Sequence, residues 1–230
     1  MTIHALRPAF IAAVALVLGS CALISRDAPG PTPPPAATEP VRLAPGQWPQ
    51  ATTDVAPAPD IRFGALPHGM RYAIQKSATP PGQASLRLRF DAGSLLESDA
   101  QQGLAHFLEH MAFNGSKAIP EGEMIRTLER AGLAFGPDTN ASTSWTETVY
   151  MLDLPNTAES SVDTGLKILR ETASELTIAA DAVDRERGVV LSEERTRDSP
   201  AYRIFQKRLG FFLKGQRPPE RYPIGKVEVL

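Results

Sequence analysis

The chain has 230 residues, 42% hydrophobic and 22% charged, with 24 basic against 26 acidic side chains. A formal net charge of −2 gives no basic footprint for nucleic acid, and a single cysteine excludes an internal disulfide framework or a thiolate metal cluster. What remains is one globular domain of ordinary size with something attached in front.

The attached part comes first. Arg7 precedes an apolar run over 9–18, AFIAAVALVL. That run is too short for a bilayer span, which takes roughly 20 residues, and suits the core of a secretory signal over 1–20. Leu18-Gly19-Ser20-Cys21 resembles the lipobox of bacterial lipoproteins. The resemblance implies cleavage before Cys21, lipidation of its thiol and a periplasm-facing membrane anchor. An ordinary signal peptide and a soluble periplasmic protein are the alternative. Over 21–60 the composition shifts, and ten of the 21 prolines fall between Pro29 and Pro59. Pro31-Thr32-Pro33-Pro34-Pro35 favours extended polyproline geometry, so this stretch is expected to be a semi-rigid spacer or a plain disordered linker.

From residue 61 onward the pattern is that of a fold. Strands are expected over 61–66 and 70–75, around a Pro67-His68-Gly69 turn. Residues 85–90 alternate, with Leu86, Leu88 and Phe90 on one face and Arg87 and Arg89 on the other. Residues 146–154 are a further strand candidate. Helices are expected over 103–113, from Pro120 to Gly132 with Glu121 and Glu123 in the first turn, and over 159–176. The apolar stripe of the third is Val162, Leu166, Leu169, Ala173 and Leu176. Two more run from Asp181 through Glu194 and over 201–213. Strands mixed with helices, with hairpins near the start, indicate α+β.

The helix over 103–113 is apolar on nearly every side, yet it holds His106, Glu109 and His110. At about 100° per residue these three share one face. Burying two imidazoles and a carboxylate without compensation costs several kcal/mol. A divalent cation is the simplest offset, because histidines at i and i+4 can reach one metal. A buried His–Glu hydrogen bond is the structural alternative.

His-x-x-Glu-His is the inverted zinc-peptidase motif. The run Gly103-Leu104-Ala105-His106-Phe107-Leu108-Glu109-His110-Met111-Ala112-Phe113-Asn114-Gly115 closely resembles the pitrilysin-type zinc metallopeptidases. Asn140-Ala141-Ser142-Thr143-Ser144, followed by Thr148-Val149-Tyr150, resembles that family's substrate-pairing edge strand. The block from Arg185 to Glu194 resembles the helix that brings its third zinc ligand. The resemblance covers about 61–230. It implies a mostly antiparallel sheet with helices packed on one face.

It also implies one zinc ion per chain on His106, His110 and Glu193, with a fourth position left for water. Glu109 is then the general base of a metalloendopeptidase that hydrolyses extended peptides with a zinc-activated water. Glu186, two helical turns before Glu193, takes a catalytic role that is electrostatic or exerted behind a ligand. Asn140, Ala141, Ser142 and Thr143 are expected to bind substrate by strand addition, the alternative being a turn that enters the next strand. Family enzymes are larger, two half-shells around a chamber. The catalytic domain over 61–230 is therefore expected to be incomplete, with a C-terminal half or a partner chain completing it. A lipid-anchored, non-catalytic peptide-binding or assembly subunit is the competing function, and a metal-free structural domain is the third.

Overall fold

The structure, a computed structural model, describes residues 43–230 apart from Ala131 and Phe135. The expected signal segment, Cys21 and the Pro31–Pro35 run lie outside the described residues. The chain divides into two compact units, with the boundary between Gln75 and Lys76.

In the first unit, β1 (Ile61–Ala65) and β2 (Arg71–Gln75) pair antiparallel, Ile61 opposite Gln75 and Ala65 opposite Arg71. Gly69 takes the turn at φ 93°, a left-handed conformation that favours glycine. The described end of the Pro-rich stretch packs here. Trp48 meets Phe63 edge-on at 4.8 Å, donates Nε1–H to the Gly64 carbonyl at 2.9 Å and carries Arg71 over its ring. An aromatic anchor of this kind fixes its segment, so around Trp48 the chain is not a free spacer.

The second unit is α+β. Its sheet comprises β3 (Ala84–Phe90), β4 (Thr139–Thr143) and β5 (Thr148–Leu154) in the order β3-β5-β4, all antiparallel. β5 alternates strictly, with Thr148, Tyr150, Leu152 and Leu154 buried. Five helices follow the sequence pattern: α1 (Leu104–Met111), α2 (Glu123–Arg130), α3 (Glu159–Ser174), α4 (Ala180–Arg197) and α5 (Pro200–Phe212). The main core joins Leu152 and Leu154 of the sheet to Met124 and Leu128 of α2 and Ile168 of α3. No helix among the described residues is long and apolar enough to cross a membrane.

Three local expectations are corrected. The buried line of α3 runs through Gly165, Ile168 and Thr172, while Leu166 and Ala173 are exposed. Gly165 explains the rotation, since a Cβ there would lie 2.7 Å from Leu86 Cδ1 of the sheet. The helix approaches β3 through its smallest residue, and Leu166 is turned outward. Glu121 precedes α2 and pairs instead with Arg185 of α4 at 2.6 Å. On α1, Leu104 and Leu108 are 45% and 46% exposed. That helix is therefore buried on one side only, the side that carries His106, Phe107, Glu109 and Met111.

Candidate metal centre

Two contacts set the position of α1. At its N-terminus the Glu97 carboxylate accepts the backbone N–H groups of Gly103 (2.9 Å) and Ala105 (2.8 Å). These are orphan donors at the positive end of the helix dipole, where an anion is favoured. Gly103 itself sits at φ 103° against Gly225, and a Cβ on it would lie 2.9 Å from the Gly225 Cα. Farther along, Phe107 and Met111 pack on Ala182 and Val190 of α4. That apolar seam lays α1 beside α4 and brings residues 83 positions apart in sequence to one place.

The result is a triangle of donor atoms. His106 Nε2 and His110 Nε2 are 3.3 Å apart, and Glu193 Oε2 lies 3.5 Å from the first and 3.3 Å from the second. The other nitrogen of His110, Nδ1, donates to Glu186 Oε1 at 2.7 Å. A carboxylate only accepts, so this bond puts a ring proton on Nδ1, and in the neutral ring the lone pair is then on Nε2. Asn114 fixes the pair, its amide donating to Glu186 Oε2 at 3.0 Å and to the His110 carbonyl at 3.1 Å.

His106 is 5% exposed, and its Nδ1 is buried with no partner among the described residues. Burial, reinforced by His110 and only partly opposed by Glu193, lowers its pKa to about 4, so near neutral pH the ring is uncharged. For Glu193 burial pushes upward, but His106, Arg197 and His110 outweigh it and the carboxyl stays below its ordinary range. The three atoms converge on one point from a neutral imidazole, a second imidazole oriented by Glu186 and a carboxylate, a set that fits a divalent cation. Atoms at the corners of this triangle can all lie about 2.0–2.1 Å from one point, which suits zinc with a His₂Glu set. Two histidines and a glutamate are the described residues whose donor atoms could together hold a metal ion.

Glu109 lies on the same wall outside the triangle. It is 8% exposed, and Thr143 Oγ1 donates to its Oε2. Burial raises its proton affinity, with the Thr143 bond opposing. A cleft of about 620 Å³ connects these groups, bounded on the far side by Asn140, Ala141, Ser142 and Thr143 of β4. In this sheet β4 is an edge strand, paired on one side only with β5. One outward donor is self-covered: Ala141 N–H donates to its neighbour's Asn140 Oδ1 at 2.8 Å.

The expected site residues His106, Glu109, His110, Glu186, Glu193 and Asn140–Thr143 therefore share one cleft. Glu186 lies behind His110, away from the triangle. The Thr143 hydroxyl is engaged by Glu109, so the part of Thr143 turned to a ligand is its backbone. Sequence reasoning missed Asn114, Arg197, Glu97 and the Thr143–Glu109 bond. The i+4 spacings of Asn114 from His110 and Arg197 from Glu193 were a readable signal.

Residues 72–209 match the family model described as insulinase, peptidase family M16. The probable zinc protease PqqL of Haemophilus influenzae is 39% identical over 172 residues, covering 75% of this chain and 19% of that protein. The crystal structure of the periplasmic protease PqqL from Escherichia coli superposes with a TM-score of 0.74 at 39% identity, over 76% of this chain and 19% of that one. A mutant of the ferredoxin protease FusC, solved with Arabidopsis ferredoxin, gives a TM-score of 0.68 at 30% identity, over 74% of this chain and 19% of that one. The chain thus spans about a fifth of the length of the relatives it matches.

Proposed function

Since the chain belongs to the insulinase family of peptidases, family M16, we propose that it is the metal-binding part of a zinc metalloendopeptidase that cleaves extended peptides. The observation that carries this is the triangle of His106 Nε2, His110 Nε2 and Glu193 Oε2, with a buried carboxylate beside it that takes no part in it. A zinc ion held there supplies a Lewis acid that polarises the scissile carbonyl and makes water easier to deprotonate.

Glu109 takes the proton from the attacking water and delivers it to the leaving amine. Its raised proton affinity suits a group that must hold that proton between the two steps. Thr143 orients the carboxylate through its hydroxyl. Glu186 fixes the His110 ring and its tautomer, and Asn114 fixes Glu186. The substrate adds as a strand to the free edge of β4, where ladder hydrogen bonds read the backbone and not the sequence.

In this reading productive cleavage draws on more polypeptide than these 230 residues, in the same chain or a partner; the chain's span of about a fifth of its relatives supports it. By analogy with the periplasmic PqqL the chain is exported, and Cys21 is its lipid attachment point. Detergent-dependent extraction of the wild type, lost in Cys21→Ala, tests the anchor against a soluble periplasmic protein.

The test of function is peptide hydrolysis that a chelator abolishes and zinc restores. Protein that takes up no zinc would end the proposal. Strand addition has its own test: N-methylating an unstructured peptide at one position at a time should block cleavage at alternate positions around the scissile bond. Uniform tolerance of N-methylation would mean that β4 is not the docking edge.

A further inference from the structure

The third donor of the triangle is gripped from behind by a cation of its own helix. Glu193 turns Oε2 toward the two histidines, at 3.5 and 3.3 Å, while its Oε1 accepts from Arg197 Nη2 at 2.5 Å. Arg197 lies one turn farther along α4, so the two side chains point the same way. It lines the same cleft and is 48% exposed. Glu186 does the corresponding work behind His110.

A carboxylate can give a metal one oxygen or two. With both oxygens free, Glu193 could rock until each touched the cation, filling the position that an attacking water needs. A guanidinium on Oε1 prevents this by occupying that oxygen with a charge-assisted bond. We infer that Arg197 is a positioning residue, which holds Glu193 to ligation through Oε2 alone and so keeps one coordination position open. This rests on the His106–His110–Glu193 group being a metal site. Arg197 touches neither the cation nor the peptide in this role.

Cobalt(II) substituted for zinc reads the coordination number directly, since four-coordinate cobalt absorbs visible light far more strongly than five-coordinate cobalt. The experiment uses the 230-residue chain as wild type, Arg197→Ala and Arg197→Lys, with circular dichroism as the check that each is folded. Wild type should give the intense four-coordinate spectrum. Arg197→Ala should lose intensity toward the five-coordinate form as the second oxygen of Glu193 reaches the metal. Only one nitrogen of Arg197 contacts Oε1, so the single ammonium of Arg197→Lys should restore the intense spectrum. An Arg197→Ala spectrum equal to wild type would overturn the inference while leaving the metal site standing. Failure of the wild type to bind cobalt or zinc would end both.

Discussion

Glu109→Gln should keep its zinc and lose peptide hydrolysis by about 10²–10⁴-fold, the range that a positioned general base supplies. Metal retention follows from geometry. Glu109 contributes nothing to the triangle of His106, His110 and Glu193, and a neutral amide of the same shape still offers an oxygen to the Thr143 hydroxyl. Folding should survive as well, because burial already disfavours the charged form of Glu109 and the substitution removes only that charge. What disappears is the capacity to accept a proton. The two readouts are zinc content per chain and turnover of an unstructured peptide, measured in whatever assembly supports wild-type cleavage. Turnover at the wild-type rate would remove Glu109 from the chemistry. Thr143→Val makes a finer probe: Glu109 stays ionisable but loses its donor, so a loss smaller than that of Glu109→Gln is expected.

How much of this site could be read from residues alone depended on distance along the chain. His106, Glu109 and His110 lie within five positions, so helical geometry places them on one face without any knowledge of the fold. Glu193 is a different case. Nothing local distinguishes it from Glu194, and only the resemblance in the block around it selected it. The structure supplies the physical reason: Phe107 and Met111 seat α1 on Ala182 and Val190, which aims that particular turn of α4 at the histidines. Glu97 and the Thr143–Glu109 bond were missed because a hydrogen bond across elements leaves no period in the sequence. Among the fold elements, alternation in β3 and β5 was legible because each has one buried face. The α3 stripe was displaced because apolar spacing alone does not anticipate a glycine used as the contact point. Leu104 and Leu108 show the converse, apolar side chains that the described residues leave exposed.

Zinc should raise the melting temperature of the chain, and Glu193→Ala should abolish that rise without lowering the melting temperature of the metal-free protein. A ligand that binds only the folded state stabilises it by about 4 kcal/mol at a thousandfold excess over its dissociation constant. For a chain of this size that corresponds to a shift on the order of 10 °C. The second half of the expectation separates a metal site from a structural network. In an ordinary buried hydrogen-bonded cluster, deleting one member leaves its partners unsatisfied and costs stability. Here Glu193 Oε2 faces His106, a ring that burial keeps uncharged, and His110, whose Nδ1 proton is committed to Glu186. The carboxylate stands 3.3–3.5 Å from the two rings and makes its short bond to Arg197, a half-exposed helical ion pair worth at most about 1 kcal/mol, so removing it should change the metal-free protein little. The two hypotheses therefore predict different outcomes for the metal-free variant, little change for a metal site and a marked loss for a structural network. Thermal melts of wild type and Glu193→Ala, each with zinc and with chelator, give all four values. A marked loss of stability in the chelated variant, with no zinc effect in the wild type, would mean that α1 and α4 are joined by a structural His–Glu network. A zinc shift of equal size in both proteins would put the cation elsewhere.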